Sequence, residues 1–269
     1  MRRIGLSTVP AVLCLCAGLL LTACSSTPKD ITQGWTPERL YQEARDEISA
    51  GAWDKAIGLY EKLEGRAAGT LLAQQAQIEK AYAQYKTGEK VQALATLDRF
   101  IRLHPTSPAM DYALYLKGLV NFNDNLGMFS ALVNQDLSER DQRAAKESYE
   151  SFMELSKRFP ESKYTLDARQ RMTYIVNSLA AYEVHVARYY ARRGAHVAAI
   201  NRAQQALGDY QNVPAAEEAL AILVHSYDAL GMEQLRDDAK RVLESNYPNS
   251  ALLNNPQAGR KSKPWWQLW

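Results

Sequence analysis

The strongest constraint on this fold is a frame of small residues around a turn glycine that keeps returning along the chain. In its clearest copy, Ala44, Gly51, Trp53, Ala56 and Tyr60 set a small residue in one helix-forming run and a glycine after it. An aromatic follows two residues later, then an alanine near the start of the next run. Ala81, Gly88, Ala93, Leu97 and Pro105 form a second copy. Gly118, Ser148, Phe152 and Pro160 form a third, once an insertion around residues 123–143 is allowed between its two helices. Ala187, Gly194, Ala199, Ala203 and Ala206 form a fourth, and Val224, Tyr227, Gly231, Ala239 and Pro248 a looser fifth. Small residues at a crossing let two helices approach closely. A turn glycine takes the left-handed conformation without a Cβ penalty, and proline ends a helix because it lacks the amide donor. One copy alone implies only an amphipathic helix pair. Copies in register imply a stack of such pairs, each covering its neighbour's apolar face. No alternating strand pattern with hairpin turns accompanies them.

The frame resembles the tetratricopeptide repeat, two antiparallel helices in about 34 residues. The expected fold class is all-α: a right-handed superhelical solenoid of about five tetratricopeptide-like helix pairs, whose concave groove suits extended peptides or partner domains. Repeats 1–3 are assigned to residues 37–165 and repeats 4–5 to 166–250. Thr36-Pro37 and Ser107-Pro108 each put a hydroxyl before a proline, which predicts a capped helix start at both places. Ala168 to Arg192 contains neither Pro nor Gly, and predicts one long helix that rigidly joins the two groups of repeats.

Before the repeats, Met1-Arg2-Arg3 leads into an uncharged run from Ile4 to Leu21, which reads as a signal peptide over residues 1–23. A membrane-spanning helix needs about 20 apolar residues. This run is shorter and is broken by Gly5, Pro10 and Gly18. It ends in Leu21-Thr22-Ala23-Cys24, which resembles the bacterial lipobox. The expectation is cleavage before Cys24 and an N-acyl diacylglycerol on it. Several acyl chains hold far more firmly than one, since each buried CH2 is worth about 0.8 kcal/mol. Cys14 and Cys16 leave with the signal, so no disulfide is expected. Ser25 and Ser26 follow the cysteine where an aspartate would resemble an inner-membrane retention signal. The expected location is therefore the periplasmic face of the outer membrane in a Gram-negative bacterium. Residues 24–36 read as a lipidated tether, and residues 251–269 as a basic, Trp-rich tail ending Lys263-Pro264-Trp265-Trp266-Gln267-Leu268-Trp269.

Charge and motifs narrow the function. The chain carries 32 Lys and Arg against 30 Asp and Glu. Loss of Arg2 and Arg3 leaves the two signs balanced, which gives no support for a nucleic-acid partner. His104, His185, His196 and His225 lack the spacing of a zinc site. There is no G-x-S-x-G and no P-loop, and no free thiol remains as a nucleophile. The expectation is a non-enzymatic binding protein with no metal and no cofactor beyond the acyl group.

Local strings then point to a family. Asp98-Arg99-Phe100-Ile101-Arg102-Leu103-His104-Pro105-Thr106, with Asp111-Tyr112 and Gly118-Leu119, is one set. Ala181-Tyr182-Glu183-Val184-His185-Val186-Ala187-Arg188-Tyr189-Tyr190, then Arg193-Gly194-Ala195 and Asn201-Arg202, is another, and the insertion carries Arg140-Asp141. With the lipobox and the repeats, they resemble the BamD family, lipoproteins of the outer-membrane β-barrel assembly machinery, from Pro37 to Ser250. The resemblance implies C-terminal repeats that dock the POTRA domain of a BamA-like barrel protein nearest its barrel. It implies other assembly-complex lipoproteins as partners. It also implies an N-terminal groove for targeting segments of unfolded outer-membrane proteins. On that basis Arg202 with Asn201 is the first candidate for the BamA-like contact, since a guanidinium pairs bidentately with a carboxylate. Arg188 and Arg192, spaced i, i+4, extend it or form a solvated basic face. Tyr41, Tyr82, Tyr85 and Tyr112 are the groove candidates, and tyrosines at these spacings equally suit packing between repeats.

One departure concerns Glu64-Gly65-Arg66-Ala67-Ala68-Gly69-Thr70, where family members often carry a Tyr-Pro-Phe-Gly-like corner. Two other readings stay open: a tetratricopeptide lipoprotein assisting pilus secretin or DNA-uptake assembly, and a cell-wall-binding adaptor.

Overall fold

The computed structural model describes residues 30–122 and 139–253. Cys24, most of the insertion and residues 254–269 of the Trp-rich tail lie outside the described residues. Among the described residues ten α-helices follow in order. They are α1 (Pro37–Ser49), α2 (Trp53–Arg66), α3 (Leu71–Lys86), α4 (Lys90–Leu103) and α5 (Met110–Asn121). Then come α6 (Glu139–Arg158), α7 (Thr165–Arg192), α8 (His196–Asp209), α9 (Ala216–Ala229) and α10 (Glu233–Asn246). A short 3-10 turn, Ala251–Leu253, closes the described chain. Consecutive helices pack against one another, and α1 also touches α3, α3 touches α5, and α7 touches α9. The odd-numbered helices thus form one layer and the even-numbered helices the other, as expected of an all-α tetratricopeptide-like solenoid.

Four of the helix turns are built alike, and the reason is in the sequence. Gly51, Gly88, Gly194 and Gly231 all have positive φ, between 68° and 81°. The residue after each donates its N–H to the carbonyl five positions back: Ala52 to Glu47, Glu89 to Gln84, Ala195 to Tyr190 and Met232 to Tyr227. This closes the helix C-terminus with a Schellman-type bond that a left-handed residue makes possible. The chain reverses in three residues, and the next helix returns antiparallel.

The third pair lacks this turn, and its helices still cross where the frame predicts. Gly118 on α5 faces the ring of Phe152 on α6, so close that a Cβ on Gly118 would stand 2.3 Å from the ring. Ser148 donates its hydroxyl to the Gly118 carbonyl at 2.8 Å. The core runs along the solenoid as successive clusters. Leu40, Ala44, Ala56, Tyr60 and Leu63 fill the first repeat, and Leu97, Phe100, Ala113 and Leu116 lie between the second and third. Ala187, Ala199, Ala203, Ala219 and Leu223 fill the fourth and fifth.

Thr36 caps α1 as predicted, its hydroxyl accepting the Arg39 N–H at 3.3 Å. The parallel expectation for Ser107-Pro108 is corrected: α5 begins later, at Met110, without a side-chain cap. Ser107 instead closes the preceding turn, its hydroxyl accepting the Ala109 N–H and its carbonyl the Met110 N–H. The long helix is present: α7 runs for 28 residues. Its first half packs with Phe152 and Leu155 of the third repeat and its second half with Ala199 and Ala203 of the fourth.

Residues 30–36, read from sequence as the end of a tether, are docked on α2. Lys62 donates to one Asp30 oxygen at 2.7 Å, and Arg66 to the other at 3.3 Å. Arg66 also donates to the Thr32 carbonyl at 2.7 Å and to its hydroxyl at 3.1 Å. The Arg39 guanidinium lies 4.2 Å from the Trp35 ring centroid. The Lys62 bond, followed by those from the Thr32 hydroxyl and N–H, holds the Asp30 carboxyl well below the usual carboxylate range.

Candidate functional site

Two regions correspond to the sequence candidates. The first is the odd-numbered helix layer of the N-terminal repeats. Tyr41 projects from α1, Tyr82 and Tyr85 from α3, and Tyr112 from α5, all half-buried. Tyr41 lies 6.0 Å from the ring of Tyr60 on α2 and accepts a hydrogen bond from Gln75 on α3. Tyr82 meets Trp53 edge-on at 6.0 Å, and Tyr112 lies 5.3 Å from Tyr164. Tyr85 packs into the cluster around Ile78 and Leu97. The rings therefore help to hold the repeats together, and Tyr41, Tyr82 and Tyr112 also line one layer.

What the sequence reading missed is the polar group among these rings. Glu79 sits on α3 four residues after Gln75 and three before Tyr82, on one helix face. Its carboxyl is half-buried, and burial holds it above the usual glutamate range while Arg45 partly offsets this. Glu79 in turn adds to the rise at three phenols, Tyr41, Tyr60 and Tyr112, in each of which burial is the larger cause. The i, i+4 spacing of Gln75 and Glu79 beside Tyr82 was the available signal. Next along the layer, Tyr115 stacks on Tyr164 at 4.8 Å. Its hydroxyl donates to Asp167 at 2.7 Å, which also accepts from Arg171 at 2.6 Å. Arg171 in turn lies over the Phe122 ring at 4.6 Å.

The second region is the C-terminal pair of repeats. Asn201 is exposed on α8, and Arg202 beside it donates to Glu183 of α7 at 3.0 Å. The Glu183 side chain is 4% exposed, whereas that of Arg202 is 41% exposed. The guanidinium thus covers a buried carboxylate and keeps its outer edge in solvent. Arg188 points elsewhere: its Nε and Nη2 both donate to Glu218 of α9. Arg192 is exposed one turn further along α7. The structure therefore gives Arg202 and Arg188 different intramolecular partners. It also brings His196 and His225 to 5.8 Å, an approach invisible in the sequence. Among the described residues no group of three His, Cys, Asp or Glu side chains is placed to hold a metal ion. Nor is any described helix long and apolar enough to cross a membrane.

Comparison with known proteins shows the family. The family model described as YfiO, outer membrane lipoprotein, matches residues 34–243. An outer membrane protein assembly factor BamD from Neisseria meningitidis serogroup B is 49% identical over 94% of this chain and 96% of its own length. One from Xylella fastidiosa is 36% identical over 91% of this chain and 86% of its own. A solved tetratricopeptide protein from Thermus thermophilus is 13% identical with a TM-score of 0.39, over 81% of this chain and 95% of its own. With the repeats in place from α1 to α10 and relatives aligned along nearly the whole chain, this protein belongs to the YfiO/BamD family of outer membrane lipoproteins.

Proposed function

We propose that this chain is a non-catalytic scaffold lipoprotein of the β-barrel assembly complex. Its C-terminal repeats dock a BamA-like barrel protein through a POTRA domain. Its N-terminal repeats receive unfolded outer-membrane proteins for folding and insertion. Other lipoproteins of the complex are further partners. An N-acyl diacylglycerol on Cys24 anchors it to the periplasmic face of the outer membrane. Only five residues separate Cys24 from the docked Asp30, six chain steps with a reach of about 20 Å when extended. The α1–α2 end of the solenoid therefore lies close to the membrane surface.

The observation that carries this reading is the whole-chain match to proteins named as outer membrane assembly factors. The structure supports it with a helical framework that offers two separate surfaces joined by the rigid α7. Arg202, with Asn201 beside it, is the proposed contact for an acidic partner. Its guanidinium already satisfies Glu183 on one edge and has donors left for a carboxylate. Arg188 and Arg192 are proposed as an extension of that face.

A pull-down from detergent-solubilised envelopes tests both levels. The tagged wild type is compared with the neutral pair Arg202→Gln/Glu183→Gln, which removes the cation without leaving a buried charge unpaired. A BamA-like barrel protein recovered with the wild type and lost with the variant supports the assignment and the contact. Recovery with both keeps the assignment and removes Arg202 from the interface. Recovery with neither, from folded and lipidated protein, points to pilus-secretin or cell-wall partners instead.

A further inference from the structure

Two of the most exposed aliphatic side chains stand at one edge of the first repeat. Successive helices run antiparallel, so α1 begins, α2 ends and α3 begins at that edge. Ile31 is 81% exposed, and Leu71, the first residue of α3, is 73% exposed. The docked segment 30–36 brings Ile31 there. Arg66, the last residue of α2, donates to the Thr32 carbonyl at 2.7 Å and to the Trp35 carbonyl at 3.3 Å. Leu71 follows five residues after Arg66, across a loop turned by Gly69 at a φ of 83°. In that loop Ala67 is buried in the cluster that also takes Trp35 and Leu72, while Ala68, Gly69 and Thr70 are exposed. Arg39 lies exposed over the Trp35 ring, a pairing of ring and long basic chain that suits a membrane interface.

Exposure alone does not choose this edge. Val91 and Val197 are 73% and 63% exposed at the opposite edge, where α4 and α8 begin. That edge is about 20 Å away, the length of a helix of this size. Single exposed aliphatics are ordinary. What distinguishes Ile31 and Leu71 is the path to Cys24. The Asp30 carboxylate is held by Lys62 at 2.7 Å and Arg66 at 3.3 Å, so the tether ends there. Its six steps from Cys24 reach about 20 Å, whereas a tether loose as far as Thr36 reaches about 40 Å. Docking thus halves the leash and fixes the edge from which it leaves.

We propose that Ile31 and Leu71 enter the lipid surface beside the acyl anchor, with Trp35 and Arg39 at its polar margin, so that the first repeat rests edge-on against the membrane. Moving exposed aliphatic side chains from water to the acyl boundary is favourable. The short docked leash keeps them close enough to do so. The inference rests on the acyl anchor proposed for Cys24. It adds the side chains that touch lipid and a fixed orientation for the solenoid.

Site-specific labelling tests this. With Cys14 and Cys16 lost and Cys24 acylated, one introduced cysteine is the only free thiol. Ile31→Cys, Leu71→Cys, Val91→Cys and Val197→Cys are each labelled with a nitrobenzoxadiazole dye on the mature lipoprotein. Each is reconstituted into phosphatidylethanolamine and phosphatidylglycerol vesicles, with and without nitroxide-bearing lipid. Emission is expected to shift to the blue and to be quenched by the nitroxide at 31 and 71. At 91 and 197 it is expected to stay water-like and unquenched. Asp30→Asn, which frees the docked segment, is expected to reduce the quenching at 71. Equal quenching at all four positions, or quenching at 91 or 197 alone, overturns the proposal. A blue shift at 31 and 71 without quenching places them against protein instead of lipid and also overturns it. Quenching at 71 that Asp30→Asn leaves unchanged overturns the part given to the docked segment. Intact mass is measured on the same samples. A mass without acyl groups fails the anchor reading itself, and this inference with it.

Discussion

The ring of Phe152 occupies the space into which a side chain on Gly118 would project, with its nearest atom 2.3 Å from an ideal Cβ. Gly118 is therefore a contact residue, although it has no side chain. It lets α5 and α6 cross closely enough for Ser148 to reach its carbonyl. Gly118→Ala forces the fully buried Phe152 out of its position and is expected to cost about 1–3 kcal/mol. Urea denaturation measures this. A double variant with Phe152→Leu recovers part of the loss if the ring is the cause.

Glu183 and Arg202 form a mixed pair, one side chain buried and the other open to solvent. Removing only the cation leaves a carboxylate stranded in the core. Arg202→Ala is expected to lower stability by about 1–3 kcal/mol. Adding Glu183→Gln restores most of it. A thermodynamic cycle over the four proteins reads the coupling directly. A coupling near zero shows that the pair contributes nothing to stability.

The docking of residues 30–36 depends on ionised Asp30. Its folded-state pKa lies below the unfolded value of about 3.9, with the Lys62 bond as the leading cause. The stabilisation is therefore present above pH 4 and is lost as pH falls through the folded-state value. Protection of the Thr32 and Trp35 amides, measured against their intrinsic exchange rates, is expected to be high at neutral pH and to fall in strong acid. Asp30→Asn makes the segment exchange quickly at neutral pH and removes that dependence.

Alkaline pH acts on the other face of the repeats. Burial pushes the Tyr115 phenol up to about 12, helped by its bond to Asp167. A group whose folded pKa is raised contributes stability that is complete below its unfolded value of about 10. That contribution disappears as pH rises through about 12. Thermal melts between pH 9 and 12 are expected to fall more steeply for wild type than for Tyr115→Phe. Equal slopes assign the alkaline loss to Tyr60 and Tyr112, whose phenols are also raised by burial.

Much of the architecture was already legible in the chain. Gly51, Gly88, Gly194 and Gly231 mark the turns because a left-handed residue at a helix end is a local requirement, met by one residue type. Gly118, Ser148 and Phe152 declared a crossing because spacing between small and large residues survives an insertion. The unbroken stretch from Ala168 foretold α7 for the same local reason. Ser107-Pro108 misled because hydroxyl-then-proline suits a tight turn as well as a helix start, and only the angle between α4 and α5 decides which forms.

The functional surfaces were legible in kind and less so in detail. Tyr41, Tyr82 and Tyr112 were recognisable as a set, yet no spacing rule could show that Tyr41 packs on Tyr60, whose hydroxyl has no partner among the described residues. Those residues come from four different helices, and their meeting depends on how each repeat is rotated against the next. Arg188 and Arg202 looked alike in sequence. The fold sends one to Glu218 and sets the other over Glu183. Sequence by itself determined the helices, their turns and the family, because these follow from local backbone chemistry and residue pattern. Tertiary structure alone decided which polar groups are paired and which are left open, because pairing depends on distances across helices that sequence separation does not encode.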